Sequence, residues 1–211
     1  MQIYQRNLYP DLGAYIREVQ GEFETIPRDR IAELAHLTRF INENRSVERS
    51  AKLVFICTHN SRRSHMAQIW AWTAAQVFGV DRIETYSGGT EATHLNPRAV
   101  AALMRAGFSI KASIAAENPI YSVRHGIKCE PLRCFSKVYN QPPNPKHGFC
   151  AVMTCSAADE ACPVVRGASK RIAIRYEDPK KFDGSKVETG KYDERCRQIA
   201  REMFFVFKSI D

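Results

Sequence analysis

The sequence predicts an α/β fold built on a parallel sheet. Three observations carry this. Residues 52–56, 149–154 and 171–174 are short apolar runs, helical periodicity fills the stretches around them, and Gly or Pro stands at several junctions. A strand buried on both faces reads as a near-continuous apolar run. Strands that alternate with helical patterns favour parallel pairing.

Residues 1–50 read as a helical extension. Leu12, Tyr15, Ile16, Val19 and Phe23 recur at helical spacing, and Pro27 opens a second helix burying Ile31, Leu34, Leu37 and Ile41. Residues 42–50 are polar and read as a linker. Helices this short need a partner surface. Packing on the main domain is the expectation; a dimer contact or a lid over the site is the alternative.

The main domain is placed at residues 51–211. After the strand at 52–56 comes a polar loop, then a helix over 64–78 with Met66, Ile69, Trp70, Thr73 and Val77 on one side. A second strand spans 84–87, closed by Gly88-Gly89. Asn96 caps and Pro97 opens a helix through 105, which Gly107 ends. Residues 113–148 read as an irregular insertion broken by five prolines, with a strand at 135–139. Strands at 149–154 and 171–174 and a helix over 191–208, burying Ile199, Met203, Phe204 and Phe207, complete the chain.

Composition narrows the function. The chain has 211 residues, 44% of them hydrophobic, enough for one domain of about 150 residues and an appendage. No apolar run reaches membrane-spanning length and the first six residues lack a signal-like core, so no membrane partner and a cytoplasmic location are expected. The net charge of +8 is dispersed, which suits attraction of small anions and gives no expectation of nucleic-acid binding. Seven cysteines are an odd count for a disulfide framework and point to catalysis, redox exchange or metal. Of these, Cys150 and Cys196 read as core, and Cys129 and Cys134 as solvent-side structural residues.

The loop after the first strand is Cys57-Thr58-His59-Asn60-Ser61-Arg62-Arg63-Ser64. A loop between a parallel strand and a helix N-terminus aims peptide N–H groups at one point, where the helix dipole adds positive potential. Such a nest holds a phosphate-sized oxyanion and stabilises a thiolate. Arg63 can fork two bonds onto that anion. Ser64 can donate to the thiolate, and Asn60 can pin the loop. His59 either contacts the anion or faces solvent, and His65 is expected on the surface.

Residues 54–67, VFICTHNSRRSHMA, resemble the low-molecular-weight protein tyrosine phosphatase superfamily, which includes the thioredoxin-coupled arsenate reductases. The resemblance continues through Tyr86-Ser87-Gly88-Gly89 and Leu95-Asn96-Pro97-Arg98-Ala99, and spans residues 52–112 and 149–208. It implies a four-stranded parallel sheet flanked by helices. It also implies Cys57 as nucleophile, the loop from Thr58 to Ser64 as oxyanion site, and Asp178 of Asp178-Pro179 as general acid, with Glu177 as competitor. The segment from Cys155 through Asp159 to Cys162-Pro163 looks like the redox loop of those reductases. That implies a Cys57–Cys155–Cys162 relay by thiol–disulfide exchange, reduced by thioredoxin.

Some residues depart from the pattern. Gln68 stands where a glutamate often helps to hold potassium, so no potassium is expected. Arg62 replaces a smaller residue and is expected to add charge at the mouth. Tyr121 and Tyr139 of the insertion are candidates to shape that mouth. Three readings follow: arsenate reduction, hydrolysis of a phosphate ester or phosphoprotein through a Cys57 phosphocysteine, and a non-catalytic oxyanion-binding regulator. A complete set of nucleophile, arginine, serine and acid argues against the last, and the cysteine pair favours the first. No cofactor and no metal are expected; the Cys155–Cys162 spacing is not that of a zinc site.

Overall fold

In a computed structural model, residues 7–113, 116–162 and 164–210 are described; Pro163, noted above beside Cys162, lies outside them. Helices α1 (Pro10–Gly21) and α2 (Arg28–Asn44) precede β1 (Ala51–Cys57), α3 (Arg63–Phe78), β2 (Ile83–Gly89) and α4 (Pro97–Arg105). Then come β3 (Ser109–Ala112), β4 (Tyr121–Arg124), β5 (Leu132–Cys134), β6 (Phe149–Met153), α5 (Ser156–Ala161), β7 (Ala168–Ala173) and α6 (Glu188–Lys208). The main sheet is four-stranded and parallel, in the order β2-β1-β6-β7.

Alternation within β1 sorts the two layers. Leu53 and Phe55 join the larger core with α3 and α6, while Val54 and Ile56 face a smaller cluster with Met153 and Ala158. Trp70 anchors the larger core. It stacks on Tyr15 at 5.6 Å, meets Phe108 edge-on at 4.8 Å and donates its indole N–H to Cys196 Sγ at 3.3 Å. Truncating such a buried aromatic costs about 3–5 kcal/mol. Leu12, Ile16 and Val19 of α1 and Leu34, Leu37 and Ile41 of α2 enter this same core, against α6. No helix among the described residues is long and apolar enough to cross a membrane.

The segment after α4 departs from expectation. β3, β4 and β5 form a second, antiparallel sheet in which Lys111 lies opposite Ser122 and Ser122 opposite Arg133. Its strands hold only three or four residues, too few for a clear period. The expected strand at 135–139 is corrected: the strand ends at Cys134, and Val138 makes only an isolated bridge to Gly89. Cys134, expected on the solvent side, is fully buried. Gly88 is required by the approach of the insertion, since a Cβ there would lie 2.3 Å from Tyr139 Cα.

Candidate active site

The carboxyl end of β1 opens directly into the loop, and α3 begins at Arg63. The loop's carbonyls bond outward. Thr90 N reaches Cys57 O at 3.2 Å, Glu91 N reaches Thr58 O at 2.8 Å, and Asn96 N reaches Ser61 O at 2.8 Å. Ser136 donates its hydroxyl to His59 O at 3.0 Å. In a trans peptide the following N–H points opposite to the carbonyl. The N–H groups of Thr58, His59, Asn60 and Arg62 are thereby turned to the loop interior, at the positive end of α3. Gly89 permits the neighbouring strand to come this close: a Cβ there would lie 2.7 Å from both Asn60 N and Thr58 O.

Cys57 lies at the floor of the loop, 3% exposed. Its Sγ is 3.1 Å from Ser64 Oγ, which accepts from Asn60 Nδ2 at 2.9 Å. That acceptance leaves the Ser64 hydrogen for Sγ, where it stabilises negative charge. Asn60 holds a left-handed φ of 44°, a conformation Asn tolerates, and its Oδ1 accepts Lys137 N at 3.0 Å. The imidazole of His59 is partly exposed, with Nε2 3.8 Å from Glu91.

Arg63 donates Nη1 to Tyr176 O at 3.0 Å and Nη2 to Asp178 Oδ2 at 2.5 Å. The other Asp178 oxygen accepts Lys180 N at 3.1 Å, capping the short turn Pro179–Phe182. Asp178 is therefore fixed beside the loop arginine. Glu177 is exposed and pairs with Lys181 at 2.7 Å. Arg62 corrects the expectation of added charge at the mouth: its Nε donates to Tyr192 Oη at 2.8 Å and its Nη2 lies 3.4 Å from Asp183. Gln68 donates Nε2 to Thr85 O at 3.0 Å.

Parallel pairing brings the second cysteine to the same end of the sheet. Thr154 donates its N and Oγ1 to Ile56 O at 2.7 and 2.8 Å, aligning the ends of β6 and β1. Cys155 follows, fully buried, with Sγ 3.5 Å from Thr58 Oγ1. It also caps α5, accepting Ala158 N at 3.4 Å. Cys162 closes that helix and is half-buried; Cys57, Cys155 and Cys162 share the smaller apolar cluster. All seven cysteines are free thiols.

Cys155 and Cys162 flank the six residues of α5, and seven steps at the helical rise put their Cα atoms about 10 Å apart, beyond the roughly 4.4–6.8 Å a disulfide spans. Joining them requires α5 to unwind. Arg171 opposes this, donating Nε to Cys162 O at 3.1 Å and Nη2 to Asp159 O at 2.6 Å. Both Arg171 and Arg175 also bind the buried Asp159 carboxylate. The sequence placed Arg171 on a strand but carried no sign of these partners.

His65, expected on the surface, is fully buried on the first turn of α3, its Nδ1 3.1 Å from Ser87 Oγ. Desolvation, with nearby Lys137 adding to it, pushes its pKa down to about 3, while the Asn60 backbone pulls the other way. Burial likewise lowers Lys137 to about 8. The folded protein holds His65 neutral, whereas the unfolded chain takes up a proton below about 6.5. Its contribution is complete above that pH and is lost as pH falls toward the folded value. His65→Gln is therefore expected to flatten the acid limb, reducing the stability loss between pH 7 and 5 by about 2 kcal/mol in urea titrations. An unchanged limb would show that His65 titrates normally.

A family model described as low molecular weight phosphotyrosine protein phosphatase matches residues 52–121. An arsenate reductase of Bacillus licheniformis is 31% identical over 146 residues, covering 69% of this chain and 86% of that protein. The arsenate reductase of Bacillus subtilis is 30% identical over 145 residues, with the same two coverages of 69% and 86%. Among solved structures, a YwlE mutant from Bacillus subtilis shares the fold at TM-score 0.51 and 17% identity, over 75% of this chain and 97% of that one.

Proposed function

The chain belongs to the low-molecular-weight protein tyrosine phosphatase superfamily, and we propose that it is an arsenate reductase working through Cys57, Cys155 and Cys162. The observation that carries this is that Cys57, Cys155 and Cys162 share one apolar cluster, with Cys155 Sγ 3.5 Å from Thr58 Oγ1 of the loop. Its curated relatives named arsenate reductase support the same reading.

The loop's inward N–H groups and Arg63 receive the tetrahedral anion. The incoming anion draws Arg63 from Asp178, which then takes up a proton from solvent; the Cys57 thiolate attacks arsenic, and an arsenate hydroxyl leaves as water with that proton. The Cys155 thiolate then attacks Cys57 Sγ. The sulfur–arsenic bonding pair stays on arsenic, which departs as arsenite, and a Cys57–Cys155 disulfide remains. Cys162 attacks Cys155 Sγ and expels the Cys57 thiolate, so the oxidised pair becomes Cys155–Cys162. α5 unwinds at this step. A dithiol protein of the thioredoxin type, in the cytoplasm, returns both thiols.

Phosphate esters are tetrahedral oxyanions of similar size, and Cys57, Arg63 and Asp178 form a hydrolytic set without the other cysteines. Hydrolysis is accordingly a second activity of the same loop. The relay is tested with Cys162→Ser. Excess arsenate with thioredoxin and its reductase should yield about one arsenite per chain and trap a Cys57–Cys155 disulfide, read by mass spectrometry of the non-reduced digest. Continued turnover, or arsenite formed without that disulfide, would reject the relay.

A further inference from the structure

The N-terminal extension contributes to a second polar concavity. Between α2 and the edge strand β7 lies an open cavity of about 590 Å³. Arg30, Glu33 and His36 line it from α2, and Lys170, Arg171 and Arg175 line it from β7 and the residues just beyond. Its charge is unbalanced. Arg30 is held by buried Glu202 at 2.7 Å and by Glu33 at 2.6 Å. Arg171 and Arg175 share the single carboxylate of Asp159, and Lys170 makes no ion pair among the described residues. A lone lysine suffices to guard an edge strand against pairing. Cations converging from two elements on one concavity instead make a surface complementary to acid.

We propose that this groove docks an acidic surface of the dithiol protein that reduces the Cys155–Cys162 disulfide. The inference rests on the relay above. The groove adjoins the redox segment directly, because Arg171 both lines it and holds Cys162 O and Asp159. Carboxylates of the partner compete with Asp159 for Arg171 and Arg175. Unwinding of α5 has by then parted Arg171 from the Cys162 carbonyl that it holds in the reduced segment, so its guanidinium is open to them. In the reduced, helical segment Cys162 is half-buried and Cys155 fully buried; the incoming thiolate attacks Cys162 Sγ, the more exposed of the two. A mixed disulfide forms and the Cys155 thiolate leaves. The partner's second thiolate then attacks its own sulfur in that mixed disulfide, releasing Cys162 and leaving the partner oxidised.

Two exposed positions test the docking with opposite signs. With an acidic thioredoxin and its reductase as the probe, Lys170→Glu should raise the KM for thioredoxin about fivefold or more, and Glu33→Lys should lower it. The wild-type KM should rise with salt. Turnover of arsenate driven by uncharged dithiothreitol bypasses docking and should stay at the wild-type rate in both variants. A thioredoxin KM unmoved by either substitution would overturn the docking surface while leaving the relay intact. A parallel fall with dithiothreitol would also overturn it, by showing a structural effect. Absence of wild-type arsenate turnover with either reductant would overturn the relay and this inference together.

Discussion

Cys57→Ser is expected to abolish arsenate turnover and phosphoester hydrolysis together, each by on the order of 10⁴-fold or more. The reason is local. In the proposed mechanism Cys57 is the nucleophile beneath the inward peptide N–H groups, and its sulfur faces the Ser64 hydroxyl at 3.1 Å. A serine hydroxyl in that place stays protonated, and neither histidine of the loop region is positioned to remove its proton: His59 lies toward Glu91, and His65 is engaged with Ser87. The oxyanion site itself survives, so the variant should still bind arsenate and phosphate competitively. Retained hydrolysis in Cys57→Ser would mean that the loop is not the reaction centre.

Cys155→Ser separates the two chemistries. Arsenate turnover should fall to background, since no thiol then attacks the Cys57 adduct. Hydrolysis of a phenyl phosphate should persist, because water and Asp178 resolve a phosphocysteine without Cys155. The substitution also preserves the local fold. Cys155 is the N-cap of α5 and accepts Ala158 N, a role serine fills well. Loss of both activities in a folded Cys155→Ser protein would place Cys155 in the loop's structure rather than in a relay.

The parts of this site that were legible in sequence are those whose logic is local. The apolar run of β1, the loop and the helix after it lie within 28 consecutive residues, Ala51–Cys57 through Arg63–Phe78. Their spacing alone predicts an anion nest with Cys57 and Arg63 in it. The parallel sheet was legible for the same reason, as was Asn96, which caps α4 by accepting Arg98 N at 2.9 Å.

What was missed depends on contacts distant in sequence. Ser136 and Lys137 support His59 and Asn60 across 77 residues. Nothing in the proline-rich insertion announced that it would underpin the loop. His65 looks like a polar first-turn residue, but α3 is buried on nearly every side by the sheet and α6, which removes its solvent. Arg62 stands next to Arg63 in the loop, yet Tyr192, 130 residues later, draws its guanidinium away. The tie of Arg171 to Cys162 likewise exists only once β7 and α5 are placed side by side.

The most direct test of the account is NADPH oxidation with thioredoxin, thioredoxin reductase and arsenate, run against a matched blank without arsenate, for wild type and Cys155→Ser side by side. The account predicts arsenate-dependent oxidation by the wild type and none above blank by the variant. Arsenate-dependent oxidation of equal rate in both, or none in a folded wild type with Cys57 reduced, would contradict it.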